Sequence, residues 1–189
     1  MNHLNNLTDV EKFISTTDLT TLKRDELLEL NLITDELKRR KLQGECRENF
    51  LTFVRTMWSS FIEGAHHRIM CEQFNKIAKG ELKRVIINMA PRHSKSEMSS
   101  YMLPSWLLGI RPDLKIIQAT HTGELAVRFG RKVRDLVDTR EYKEIFPNVS
   151  LRADSKAAGR WETTEGGEYF ASGVGGAITG RGADLSLIH

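Results

Sequence analysis

Cysteine is scarce in this chain of 189 residues: Cys46 and Cys71 are the only two, and they form no C-x-x-C pair. That excludes a disulfide-framed scaffold and a cysteine-rich metal site, and predicts two reduced thiols in a cytosolic protein. No apolar run approaches the roughly 20 residues that span a bilayer. The opening MNHLNNLTDVEKF lacks the hydrophobic segment of a signal peptide. Net charge is small, +3 at pH 7, so nucleic-acid binding has to be argued from local clusters. There is no internal repeat and no low-complexity tract. His66, His67, His93 and His121 lack the cysteine or acidic partners of a metal site. No Ser-His-Asp set can be assembled. What remains is 40% hydrophobic and 28% charged, the make-up of a globular protein of one ordinary domain's length.

The first third reads as helical. Thr8 and Glu11 have capping-box spacing before Phe13 and Ile14. Leu27, Leu30, Ile33 and Leu37 then recur at three- and four-residue steps, marking one apolar helix face. The charge-dense KRDE (23–26) and DELKRRK (35–41) read as its solvated side, with a partner or DNA contact as the alternative. Residues 46–62 and 66–79 give two more amphipathic helices, the second stopped by Gly80. At residue 84 the pattern changes. RVIIN (84–88), LKIIQAT (114–120) and ADLSLI (183–188) read as buried strands. EMSSYMLPSWLLGI (97–110) reads as a helix kinked by Pro104. Residues 122–146 read as a helix broken near Thr139 and stopped by Pro147. RWETTEGGEYFASGV (160–174) reads as a hairpin, followed by the glycine-rich 173–182. The order strand, loop, helix, strand, helix predicts an α/β domain with a largely parallel sheet over 46–189, preceded by a helical segment over 1–45.

One loop carries chemistry. In NMAPRHSKSE (88–97) a lysine and a serine follow a strand-like run and precede a helix. A phosphate-binding loop needs that context, because it works by aiming backbone N–H groups and a helix N-terminus at an anion. Lys95 supplies a mobile charge for the outer phosphates, and the Ser96 hydroxyl is placed to ligate Mg²⁺. Arg92 adds a second, permanently charged fork that stabilises charge on a transferring phosphoryl group. Two departures stand out. Met89 and Ser94 occupy the two positions where G-x-x-x-x-G-K-[ST] asks for glycine, and Ser94 is expected to crowd the turn. An ordinary basic turn without a ligand is the plain alternative. The loop residues Pro91, Arg92, His93, Ser94, Lys95, Ser96 and Glu97 are the expected ATP contacts, with His93 given no part in the chemistry. Gln73 precedes the strand where an adenine contact is possible, although an exposed helix glutamine explains it equally well. Trp58, Trp106 and Trp161 read as packing rather than base-stacking platforms.

KRVIINMAPRHSKSE (83–97) resembles the loop of phage terminase large subunits, a strand followed by P-P-R-x-G-K-S-E. Residues 66–84, 106–137, 141–148 and 175–185 resemble further segments of that family in the same order, so the resemblance covers roughly 46–189. It implies a P-loop ATPase fold of the additional-strand-glutamate type. It also implies ATP and Mg²⁺ as ligands, and a motor that packs double-stranded DNA into a procapsid. Implied partners are the small terminase subunit, the portal and further copies in a ring. The implied setting is the host cytoplasm, with no membrane. By position, Lys95 would hold the β- and γ-phosphates, Ser96 the Mg²⁺, and Arg92 would sense or stabilise the γ-phosphate. Gln118 to His121 would lie near the sheet's carboxyl edge. The helix carrying Arg128, Arg131, Lys132 and Arg134 would lend Arg131 or Arg134 to a neighbour's ATP site. A solvated basic face and phosphate contact with DNA are the alternatives.

The resemblance also implies a strand ending in two acidic residues after G-A-D-L, and a nuclease domain. GADLSLIH reaches residue 189 with His189 near the first acidic position, Asp184 too early and Glu168 in the preceding hairpin. The expectation is the front part of a terminase large subunit that by itself hydrolyses ATP poorly. The alternatives are a hydrolysis-deficient nucleotide-binding or interaction module, and a related P-loop translocase or helicase.

Overall fold

A computed structural model describes residues 5–176 and 178–189. The chain divides into two compact units, Met1–Glu45 and Cys46–His189. In the first, α1 (Leu7–Thr16) and α2 (Arg24–Glu48) follow the predicted helical pattern. Leu30 is buried with Val10, and Phe13, Leu22, Ile33 and Leu37 pack against them. The start of α1 differs from expectation. Asn6 is the cap, its side chain accepting from the Asp9 N–H at 2.9 Å, and Thr8 lies inside the helix. Asparagine at an N-cap meets the orphan donors as well as threonine does, and it comes first in the chain.

The second unit is α/β. After α3 (Phe50–Met57) and α4 (Ala65–Ala78) the chain reaches the loop, then a helical stretch ending in α5 (Leu103–Ile110). Strand β1 (Lys115–Thr120), α6 (Gly123–Val137), α7 (Arg140–Ile145) and β2 to β5 follow. The last four are β2 (Leu151–Ala157), β3 (Arg160–Thr163), β4 (Glu168–Gly173) and β5 (Leu185–Ile188). The break between α6 and α7 falls at Thr139, which caps α7 by accepting from the Tyr142 N–H. Gly80, at φ 76°, closes α4. Both cysteines are buried, reduced thiols. Among the described residues no helix is long and apolar enough to cross a membrane.

The sheet order is β2-β3-β4-β1-β5. It is mixed, which corrects the expectation of a largely parallel sheet. β1 pairs in parallel with β4 and β5, whereas β2-β3-β4 is an antiparallel meander. The short turn after Thr163 forces that reversal, since parallel neighbours need a long crossover. Of the other two strand expectations, one fails and one holds except for its burial. RVIIN has the composition of a buried strand but joins no ladder, and Ile86 is 89% exposed. ADLSLI does form β5, but at the sheet's edge, with Ile188 88% exposed. Of the glycine-rich stretch 173–182, Ala177 lies outside the described residues.

The core is aromatic. Phe50 meets the Phe74 ring edge-on at 5.3 Å, and the Trp106 indole donates to the Cys46 carbonyl at 2.7 Å. Trp161 stacks on Tyr169 at 5.1 Å and donates to the Gly130 carbonyl, fixing the hairpin to α6. The predicted Pro104 kink takes a definite form. Pro104 has no N–H and its ring crowds the carbonyl four residues earlier. The chain answers with a π-helical turn over Glu97–Met102, in which the Leu103 N–H reaches back five residues to Met98.

Candidate functional site

The loop between RVIIN and this helix is built from unusual backbone. Pro91 is followed by Arg92 at φ 62°, and Ser94 follows at φ 60°. A proline with a left-handed residue behind it has the φ pattern of a type II turn. Both left-handed positions are ones that glycine normally fills. Ser94 therefore stands in the left-handed region that glycine favours.

The consequence is a cluster of free donors. The first backbone hydrogen bond of the following helix runs from the Met98 N–H to the Ser94 carbonyl at 2.9 Å. Among the described residues, the N–H groups from Arg92 to Glu97 have no backbone acceptor. Helical backbone then continues from Lys95 to Ile110. Consecutive N–H groups at left-handed turns, at the head of a helix, form a concavity that favours an anion. A cavity of about 540 Å³ opens there. Arg92, Ser94, Lys95, Ser96 and Glu97 line it together with Pro91 and Trp58. Arg92 and Lys95 enter no ion pair among the described residues, so both charges are available to a ligand.

Other expected residues are placed differently. His93 does not line the cavity. Its Nδ1 lies 2.8 Å from the Pro91 carbonyl and its ring is 5.5 Å from that of His66. His66 and His67 approach at 3.0 Å between their Nε2 atoms, and His67 is buried and accepts from the Gly64 N–H. Burial first, then the neighbouring His66 charge, hold the His67 pKa below its ordinary value. These histidines brace the loop against α4. Among the described residues no group of three metal-ligating side chains forms. Gln73 sits half-buried on α4 and does not line the cavity. Gln118 is fully buried in β1, its amide without a hydrogen-bond partner among the described residues, and His121 is exposed beyond the strand's end.

On α6, Arg131 is exposed and makes no ion pair among the described residues, while Arg134 pairs with Asp135 at 2.7 Å. The α6 cation that reaches the loop helix is Lys132. Its Nζ lies 2.6 Å from Glu97 and 4.7 Å from the centre of the Tyr101 ring. The sequence showed four crowded cations there without marking this one.

Two site residues come to the loop only through the tertiary fold, and of these Trp58 carried no site signal in the sequence. Trp58 reads as packing from its neighbours, yet it forms a wall of the cavity; Trp106 and Trp161 are core residues as expected. His189 follows β5, and its Nε2 stands 2.6 Å from the Ser96 hydroxyl. The end of β5 is thus delivered to the serine of the loop, although 93 residues separate them. Comparison with protein-family models, with curated proteins and with solved structures returns no match.

Proposed function

We propose that the loop Pro91–Glu97 binds the phosphates of ATP with Mg²⁺, as the nucleotide-binding part of a P-loop motor of the phage terminase type. The observation that supports this most is the pair of left-handed residues, Arg92 and Ser94, heading a helix whose first N–H groups have no backbone acceptor among the described residues. In this reading Lys95 and Arg92 neutralise the outer phosphates. The Ser96 hydroxyl ligates Mg²⁺, which ordinarily takes one or two protein oxygens, phosphate oxygens and water. Trp58 offers an aromatic face to the base. Gln73 keeps no role in this geometry.

Binding is the activity proposed for these residues themselves. The carboxylates near the loop are engaged elsewhere, Glu97 with Lys132 and Asp184 with the Lys115 N–H at 2.9 Å. Turnover, movement of double-stranded DNA, a ring of copies and engagement of a portal and small subunit are proposed for the complete motor that the sequence resembles. In such a ring Arg131, exposed on α6, is better presented to a neighbour than Arg134.

The test is a titration of the chain with a fluorescent ATP analogue and Mg²⁺. Lys95→Ala removes a charge-assisted contact worth about 1.5–3 kcal/mol, so affinity should fall roughly ten- to a hundredfold. Equal affinity in the wild type and the variant would overturn the assignment.

A further inference from the structure

Helix α2 is apolar on two sides. One side, with Leu30, Ile33 and Leu37, turns to the small core of its own unit. The other carries Leu28, Leu32 and Leu42, which are 53%, 72% and 43% exposed. Single exposed leucines are ordinary on a surface. The spacing of these is not. With Asp35 and Arg39 they stand at 28, 32, 35, 39 and 42, in alternating steps of four and three. At about 100° per residue all of them fall in a stripe roughly 80° wide, opposite the buried side. That is the repeat of a coiled-coil contact. Charge is also divided along the helix. Asp25, Glu26, Glu29, Asp35 and Glu36 dominate its first half against Arg24, and Lys38, Arg39, Arg40 and Lys41 follow in one block. The helix's own dipole does not account for that block, since it acts within the last turn and the helix runs on to Glu48.

We propose that this face pairs α2 with the α2 of a second copy, antiparallel, about a two-fold axis at the level of residue 37. A two-fold contact requires that residue i meet residue j and that j meet i. The sequence around position 37 has that property. Leucines stand at 32 and 42, and opposite charges at 35 and 39. Leu32 then meets Leu42 of the second copy, and Asp35 meets its Arg39, each twice. The acidic half of one helix lies along the basic block of the other. Parallel pairing would set Asp35 against Asp35 and like halves together. A helix from an unrelated protein would leave this symmetry without a reason. The charged layers weaken the contact and fix its direction and register. Asp35 is exposed and enters no ion pair among the described residues. Arg39 keeps donors for it, because Glu36 is shared between Arg39 at 2.5 Å and Arg40 at 2.7 Å. The contact closes on itself, so it differs from the head-to-tail pairing of a ring, and it rests on no part of the nucleotide reading.

The experiment follows the full chain by sedimentation equilibrium, from micromolar to roughly millimolar concentration. Asp35→Lys and Arg39→Glu are run alone and as an equimolar mixture. Alone, each variant brings like charges together twice, and dimer affinity should fall roughly tenfold or more. In the mixture the new lysine of one chain meets the new glutamate of the other, and the native Arg39 and Asp35 meet beside them. The mixed dimer should recover the wild-type affinity. Pairing of 35 with 39 inside one helix cannot give that recovery, because each chain still carries its own mismatch. Leu32→Ser, a change on the exposed side, should weaken the dimer with the circular dichroism spectrum unchanged. The proposal is overturned if the wild type stays monomeric throughout. It is overturned if any one variant dimerises as tightly as the wild type, or if the mixture does not recover. A monomeric chain that binds a DNA duplex, with that binding lost in Arg39→Glu, would assign the face to nucleic acid and overturn it as well.

Discussion

At the residue scale the loop turns on Ser94. A left-handed L-residue costs about 1–2 kcal/mol, and glycine removes that cost while adding about 0.5–1 kcal/mol of unfolded-state entropy. Ser94→Gly should therefore stabilise the unit by about 0.5–1 kcal/mol, read by urea unfolding, and bind the ATP analogue at least as tightly. Loss of stability would mean that the serine hydroxyl contributes more than the backbone strain costs. His67 sets a pH dependence. Its neighbours are His66, Glu63 and the His93 backbone, and its folded pKa lies below the ordinary 6.5. The unfolded chain then binds more protons than the folded one as pH falls below 6.5. The contribution is complete above that pH and is lost on acidification, at no more than about 1.4 kcal/mol per pH unit. Thermal unfolding followed from pH 7.5 to 5.5 should fall less steeply in His67→Gln than in wild type; parallel curves would remove His67 from the account.

At the element scale the hairpin and α6 meet through Gly130. A Cβ there would stand 2.5 Å from the Ala158 carbonyl oxygen and 3.1 Å from the Tyr169 ring. Gly130→Ala should cost about 1–3 kcal/mol, against a gain of about 0.5–1 kcal/mol for Gly44→Ala inside α2. Gly44 would meet nothing within 4 Å. Equal effects in denaturant unfolding would contradict this packing. Elements whose signal is local were legible in the sequence: β1 by its apolar run, the α6–α7 break by Thr139, the hairpin by its Gly-Gly. RVIIN shows the limit. Its residues suit a buried strand, but strand status depends on a partner, and composition does not say whether one is alongside. β2, rich in charge, gave no strand signal, because its pairing with β3 carries it. In the site, Lys95, Ser96 and Arg92 were legible because they are contiguous. Trp58 was not, since only the tertiary fold brings it to the loop, and His189 was marked only through the family resemblance, by its place near the first acidic position.

At the scale of the whole molecule, protection should be uneven within the Cys46–His189 unit. Hydrogen exchange should find the amides of Val85–Met89 nearly unprotected and those of Ile116–Ala119, paired on both sides, slowest. Comparable protection in the two would show that RVIIN is held by a ladder after all. The π-helical turn has a further consequence. It inserts one residue between the loop and the buried face of α5, and one residue of helix is about 100° of rotation. The direction in which Lys95 faces, relative to Trp106 and Leu108 in the core, is thus an angular phase set by Glu97–Met102. Deleting a single serine from that turn would swing the loop about a quarter-turn away from its cavity and bring the Pro104 ring back against the carbonyl four residues earlier.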